Sequence, residues 1–169
     1  MTLTSTAFNE GGKLPCAHVA SYCAGQQTSP PLAWTAGPAG TQSYAIVMRD
    51  DTLPNVHWVL YDIPAAVTSL AANVQRDVFE PNPPAGSKQS KPPGSFGDNT
   101  RGYFGACPVN GAAQHTYSFT VYARPTAQLG LNGDPDDISS ETLAAAVTNG
   151  ALASATITTV QDAKQGVCN

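Results

Sequence analysis

Four side chains in the sequence could recognise or transform a charged ligand: two histidines, an aspartate and a tyrosine. They are Asp50, His57, His115 and Tyr117. An imidazole donates hydrogen bonds to an anion, and does so more strongly when protonated. A carboxylate can orient an imidazole, and a phenol adds a neutral donor. The same residues have plainer interpretations. His57 precedes Trp58 in an apolar run, where a histidine is often simply a core residue with its hydrogen bonds satisfied. Asp50 could cap a turn.

Most of the chain has the pattern of short strands separated by turns. Runs rich in apolar, aromatic or β-branched residues predict strands at residues 44–48, 57–63, 117–123 and 155–160. The stretch from Ser139 to Thr148 predicts one helix, because it begins with capping-type residues and is followed by Asn149 and Gly150. Residues 81–97 contain five prolines and predict a long surface loop. These elements indicate a β sandwich with one short helix, and its expected core includes Trp34, Ile46, Val59, Tyr61, Phe119, Val121 and Ile157.

Length and charge limit the functions open to this chain. Its 169 residues fit a single domain, 1–169, with a sizeable core. The net charge is −4 and no run of Lys or Arg occurs, so no nucleic-acid partner is expected. No apolar stretch reaches ~18 residues, and the first ten lack the features of a signal peptide. His18 has no motif around it and is expected at the surface.

Three strings of the sequence have the order and spacing of one known family. They are S-P-P-L-A-W at residues 29–34, D-D-T-L-P then H-W-V within residues 50–59, and G-Y-F-G-A-C-P-V-N-G then H-T-Y-S-F within residues 102–119. Through them the chain resembles the phosphatidylethanolamine-binding, or Raf kinase inhibitor-like, family in its bacterial branch. The resemblance extends over about residues 25–160. It implies an all-β fold, a two-sheet antiparallel Greek-key sandwich with the short helix near the C-terminus.

The sequence departs from the family pattern around the same strings. Asp51 and Thr52 stand where the family has Pro and Asp. Asn55 lies in a shortened loop that lacks the usual aromatic pocket wall. Val109 replaces a proline, and Thr116 stands where arginine is common. These departures imply a pocket that is more open and less cationic than is typical of the family.

The resemblance implies a small surface cavity that accepts anions. Its ligand-binding residues would be Asp50, His57, Gly105, Pro108, His115 and Tyr117. Main-chain amides of residues 105–111 could add further donors. No metal or other cofactor is expected, although two histidines and an aspartate would also suit a facial metal triad. A Ser-His-Asp hydrolase is not expected, because the sequence has no G-x-S-x-G elbow.

The leading interpretation of function is a binding protein without catalytic turnover. Its partner would be a small anionic or phosphorylated ligand, including a phospholipid headgroup at a membrane surface. Free histidine protonates near pH 6.5, so binding is expected to strengthen below that value. The alternative is an enzyme on the same scaffold, in which His57 or His115 acts as general acid or base beside Asp50. The kinase-inhibitor name belongs to the family, and the sequence gives no indication of a kinase partner.

The four cysteines bear on disulfide formation and, through it, on cellular location. No pair has C-x-x-C spacing, so a structural zinc site is not expected, and two disulfides could form in any of three pairings. The low lysine content favours disulfides over free thiols. The resemblance pairs Cys23 with Cys107, since exported bacterial relatives often have both, and this leaves Cys16 for Cys168. Such bridges imply a periplasmic or secreted protein, with a cytoplasmic location as the alternative.

Overall fold

The computed structural model describes residues 1–93, 100–108, 113–131, 137–162 and 168. The strands in these ranges are β1 (Leu3–Thr4), β2 (Gly12–Lys13), β3 (Leu32–Trp34), β4 (Ser43–Asp50), β5 (Asn55–Pro64), β6 (Ser69–Leu70), β7 (Lys88–Gln89), β8 (His115–Arg124) and β9 (Ala153–Gln161). Two 3-10 helices precede β3, η1 (Cys16–His18) and η2 (Ser21–Cys23), and one α-helix, α1 (Ser140–Thr148), precedes β9. No helix in these ranges has the length and apolar character needed to cross a membrane.

The strands form two sheets, as the sequence predicts. The larger has the order β2-β9-β8-β4-β5-β7, and the smaller has the order β1-β3-β6. The expectation of purely antiparallel pairing is wrong at one edge, because β2 pairs with β9 in parallel. This strand comes from the N-terminal segment and has only two residues, so its direction is set by how that segment crosses the sheet rather than by a hairpin. The Greek-key pattern of connections remains a prediction.

The larger sheet is covered on both faces, which explains the nearly continuous apolar runs of its central strands. One apolar cluster lies between the two sheets, and a second lies between the larger sheet and α1. All seven predicted core residues are buried, but they divide between these clusters. Val59 and Tyr61 face α1, whereas the sheet-to-sheet cluster contains Trp34, Ile46, Phe119, Val121 and Ile157.

The predicted helix is confirmed, with Ser139 as its cap rather than its first residue. The Ser139 hydroxyl accepts a hydrogen bond from the Thr142 amide at 3.1 Å, which satisfies one of the free N–H groups of the first turn. Leu143 and Val147 bury their side chains against the larger sheet. At the other end, the Arg124 guanidinium donates to the Val147 carbonyl at 2.8 Å. This contact fixes the end of α1 to the end of β8.

The proline-rich stretch is only partly a surface loop. It contains the edge strand β7, and Gln89 within that strand is fully buried. The Gln89 amide donates to the carbonyls of Gln75 at 2.7 Å and Val78 at 2.8 Å, and its oxygen accepts from the Trp58 indole at 3.3 Å. A polar side chain with all its partners thus anchors this segment inside the fold. Residues 94–97 of the predicted loop lie outside the described residues.

Both cysteine pairings predicted from the resemblance are present. Cys16 is joined to Cys168 and Cys23 to Cys107, with Cα–Cα distances of 5.4 and 5.7 Å. Each bridge closes a long loop, of 152 and 84 residues in sequence separation. The segment that includes η1 and η2 is therefore tied covalently at both ends. The Cys16–Cys168 bridge connects this segment to Cys168 near the C-terminus, and the Cys23–Cys107 bridge connects it to residues 103–108.

Candidate functional site

Three neighbouring strands of the larger sheet end together and bring the predicted residues into one place. Asp50 ends β4 and lies opposite Tyr117 near the start of β8, while His115 is the first residue of β8. His57 lies near the start of β5, on the other side of β4. All four side chains are buried in the described structure. The sequence strings that are far apart in the chain therefore converge at one end of the sheet.

His57 reaches this site because β5 has one residue more than β4 at this point. Met48 pairs with Trp58 and Arg49 with Val56, so His57 is the additional residue between them. Regular alternation would direct His57 and Trp58 to opposite faces of the sheet. The bulge turns His57 towards the face that Trp58 occupies, in the cluster between the sheets. Bulges of this kind commonly redirect a side chain beside a functional site.

Asp50 and His115 form the best-defined contact of the site. The Nδ1 atom of His115 lies 2.7 Å from Oδ2 of Asp50, and both side chains are almost entirely buried. The other carboxylate oxygen accepts from the amides of Thr52 at 2.9 Å and Leu53 at 3.0 Å. Asp50 thus has both roles considered from the sequence, since it caps the following turn and orients an imidazole.

His57 is held by the main chain of the loop that faces it. Its Nδ1 lies 3.1 Å from the Phe104 carbonyl, so Nδ1 is the donor. Its ring meets that of Tyr117 edge to face, with centroids 5.2 Å apart. Burial lowers the pKa of His57 from 6.5 to about 4, although the Phe104 carbonyl and Asp50 act in the opposite direction. His57 is therefore not a source of stronger anion binding just below pH 6.5, because its buried ring stays neutral there.

Tyr117 keeps its proton throughout the ordinary pH range. Burial raises the pKa of Tyr117 well above its usual value, and the Asp50 carboxylate raises it further, by its charge and by hydrogen bonding. Its ring also lies near that of His115, with centroids 6.3 Å apart. The phenol is thus a permanently neutral group between the two imidazoles.

A proton-linked loss of stability should follow from the state of His57. Because its folded pKa of about 4 is below the unfolded value of 6.5, the unfolded chain takes up a proton first as the pH falls. Stability is therefore fully present above about pH 7 and decreases through pH 6.5 to pH 4, by roughly 3 kcal/mol. A His57→Asn variant retains an N–H for the Phe104 carbonyl but cannot be protonated, so this loss should be absent.

Urea unfolding from pH 4 to pH 7.5 measures the difference between the two proteins. Burial also lowers the pKa of His18, so both proteins should share a smaller dependence in the same direction, and only their difference reports on His57. Parallel stability curves for the wild type and His57→Asn would show that His57 is not the buried neutral group described above.

Gly105 and Pro108 belong to the loop that contacts His57. A Cβ at Gly105 would overlap the main chain of Val19 and Ala20, so glycine permits close packing of this loop on the segment containing η1 and η2. The same contact is made by the Ala20 amide, which donates to the Ala106 carbonyl at 3.1 Å. Pro108 is buried at the end of the described part of the loop. Residues 109–112, with the main-chain donors expected there, lie outside the described residues.

His18 is buried, which corrects its expected surface position. Its Nδ1 lies 2.9 Å from the Thr28 carbonyl, and its own carbonyl accepts from the Tyr103 hydroxyl at 2.6 Å. The apolar residues Val19 and Ala20, which follow it, were the available signal of burial. The Phe104 carbonyl was also missed, because a main-chain partner leaves no trace in side-chain type.

A metal centre requires several ligating side chains directed at one point. Within the described residues, no group of three His, Cys, Asp or Glu side chains is arranged to hold a metal ion. His115 uses Nδ1 for Asp50, and His57 uses Nδ1 for the Phe104 carbonyl. The expectation of a protein without a metal cofactor remains a prediction for metal analysis.

Comparison with known proteins identifies relatives over nearly the whole chain. A sequence model of the family described as phosphatidylethanolamine-binding protein matches residues 4–161. The UPF0098 protein YbcL of Escherichia coli is 35% identical over 170 residues, covering 96% of this chain and 87% of its own. A UPF0098 protein of Methanothermobacter thermautotrophicus is 35% identical over 130 residues, covering 75% of this chain and 78% of its own.

Solved structures show the same architecture. The crystal structure of Escherichia coli YbcL, described as a new member of the mammalian PEBP family, has a TM-score of 0.81 and 31% sequence identity, over 96% of this chain and 98% of that one. A phosphatidylethanolamine-binding protein homolog from Chlamydia trachomatis has a TM-score of 0.72 and 25% identity, over 95% and 96% of the two chains. The fold of these proteins is thus the fold of this chain.

Proposed function

Because the chain belongs to the phosphatidylethanolamine-binding protein family, we propose that it binds a small anionic or phosphorylated ligand without catalytic turnover. The ligand would bind at the end of the larger sheet, beside Asp50, His57, His115 and Tyr117. The proposal rests on one observation above the others, which is the buried contact between Asp50 and His115.

That contact prepares His115 for an anion. Asp50 uses one oxygen for two main-chain amides and the other for Nδ1 of His115, so the carboxylate is directed into the protein. Within the described ranges, Nε2 of His115 has no hydrogen-bond partner. Because Asp50 holds Nδ1, Nε2 is the ring nitrogen of His115 that remains for an incoming anion.

The neutral state of His57 favours binding over acid–base catalysis. A general base is most effective when its pKa is near the working pH. The pKa of His57 is about 4, far below a neutral working pH. His57 is better suited to shape the pocket, with its ring against Tyr117 and its Nδ1 on the Phe104 carbonyl.

Two sources could supply the proposed ligand, a soluble phosphorylated compound or the headgroup of a phospholipid. Both present the same phosphate chemistry to His115, so binding of the free ion and binding to vesicles must be measured separately.

For location, we place the protein in the periplasm or outside the cell. The two disulfides, which persist in oxidising compartments, support this location.

Titration calorimetry with inorganic phosphate tests the proposed function. The wild type should bind phosphate with a measurable heat. A His115→Ala variant should lose a hydrogen bond to the anion worth roughly 1.5–3 kcal/mol, or about 10- to 100-fold in affinity. Vesicles of phosphatidylethanolamine provide the second arm, which distinguishes a headgroup from a free ion.

Thr120→Val is the matched control, because Thr120 lies on the same strand but its hydroxyl pairs with Thr156 at the protein surface. This variant should bind phosphate as the wild type does. Equal affinity of the wild type and His115→Ala for phosphate would place the anion elsewhere or exclude it.

A further inference from the structure

Gln161, the last residue of β9, has a buried amide oxygen without a hydrogen bond. Its side chain is 3% exposed, and no partner for its Oε1 is found in the part of the chain that the structure describes. Buried side-chain oxygens normally have a partner, because an unpaired one loses its hydration without compensation. Such an atom therefore requires an explanation.

Gln89 shows what a purely structural glutamine looks like in the same protein. It is equally buried, yet its nitrogen donates to two carbonyls and its oxygen accepts from the Trp58 indole. The fold thus provides complete sets of partners for a buried amide where the amide serves only to hold segments together. Gln161 differs from Gln89 because, among the described residues, its side-chain oxygen has no hydrogen-bond partner.

The strand register places Gln161 beside the proposed anion site. Gln161 pairs with His115 across β8 and β9, and two residues further along Thr159 pairs with Tyr117. Side chains of directly opposed residues lie on the same face of a sheet, with Cβ atoms about 4.5–5.5 Å apart. Gln161 therefore lies beside His115 on the neighbouring strand, on the face that holds the site.

We infer that Gln161 is a specificity-determining residue, whose carbonyl accepts a hydrogen bond from a hydroxyl or ammonium group attached to the bound anion. This inference rests on the proposed function, because it assumes that the anion binds at His115. A donor on the ligand satisfies the buried oxygen, whereas an anion with an apolar substituent leaves it unpaired. Discrimination against the analogue that lacks the donor follows from the cost of that unpaired group.

Three phosphates built on the same two-carbon chain separate the possibilities. Ethyl phosphate has no donor on its terminal carbon, 2-hydroxyethyl phosphate has a hydroxyl there, and phosphoethanolamine has an ammonium. The wild type should bind the hydroxyl compound about tenfold more tightly than ethyl phosphate. A Gln161→Met variant, similar in shape but without an amide, should bind both within about twofold, while its affinity for ethyl phosphate stays unchanged. Phosphoethanolamine shows whether the preferred donor is an ammonium.

Thermal unfolding distinguishes a ligand-binding role of Gln161 from a structural one. Gln161→Met should be at least as stable as the wild type, because the substitution removes an unpaired buried oxygen. Gln89→Met should be clearly less stable, because it removes the partners of Trp58 and two carbonyls.

Equal affinities of the wild type for the hydroxyl and ethyl compounds would overturn the inference and leave the proposed function intact. Failure of the wild type to bind ethyl phosphate and inorganic phosphate would overturn both.

Discussion

Removing the Cys23–Cys107 disulfide should cost the protein both stability and anion affinity, whereas removing Cys16–Cys168 should cost stability alone. The two bridges close loops of 84 and 152 residues. By the chain-entropy relation each stabilises the fold by roughly 4–5 kcal/mol. Their effects on unfolding should thus be similar, and the difference between them should lie in the site.

The difference arises because Cys107 belongs to the loop that holds His57. This loop supplies the Phe104 carbonyl to His57, and Gly105 packs on the segment that includes Cys23. Without the bridge, the loop keeps only its hydrogen bonds to that segment, such as the one from the Ala20 amide to the Ala106 carbonyl. The ligand must then order the loop as it binds, which should weaken phosphate binding about 5- to 10-fold.

Paired serine variants measure this effect directly. Cys23→Ser with Cys107→Ser should show both losses, and Cys16→Ser with Cys168→Ser is the matched control, because its longer loop gives a similar stabilisation by the chain-entropy relation. Urea unfolding gives the stability and calorimetry gives the phosphate affinity. Identical affinities in the two double variants would show that the bridge does not support the site.

Mass spectrometry of unreduced protein from its natural host tests the proposed location, because four free thiols would contradict an oxidising compartment.

Replacing Asp50 by alanine should destabilise the protein by about 3–5 kcal/mol and eliminate measurable phosphate binding. The substitution removes the acceptor for two main-chain amides and leaves the buried His115 without its partner. His115 then has no carboxylate to fix the orientation of its ring. Both the turn after β4 and the anion site should be lost.

Asp50→Asn separates these two roles. Its amide oxygen can still accept from Thr52 and Leu53, so most of the stability should be retained. Its amide nitrogen faces Nδ1 of His115, so the carboxylate that orients the ring through a charge-assisted hydrogen bond is lost. We expect weakened phosphate binding with little loss of stability. Urea unfolding and titration calorimetry are the measurements, and a phosphate affinity equal to that of the wild type would contradict the assigned role of Asp50.

The elements of the fold could be predicted from local sequence, but their relation to the layers could not. The strand around Val59 was identifiable from its apolar run, yet its two faces pack into different clusters. Alternation alone would separate His57 from the face of Trp58, and only the bulge in β5 brings them together. A bulge depends on pairing with another strand, so the sequence of β5 does not specify it.

The candidate site could be predicted only as a set of side chains. Asp50, His57, His115 and Tyr117 were found through the resemblance, and the register of three strands explains why they meet. Without a ligand, the hydrogen-bond partners of these residues are largely main-chain groups, which no side-chain pattern reveals. Gln161 follows the last predicted strand, 155–160, and has no distinguishing pattern around it. Its unpaired oxygen becomes visible only when every buried polar atom is assigned a partner.

The two ends of the larger sheet bear on whether copies of this protein associate. Its outermost strands, β2 and β7, have two residues each, and each contains a lysine. Lys13 pairs with Asp162, and Lys88 with Asp62. A short strand bearing a charge offers a poor template for main-chain pairing with another molecule. The central strands β4 and β8 lie between β9 and β5, so their main-chain groups are paired within the molecule and are not available for amyloid-like stacking.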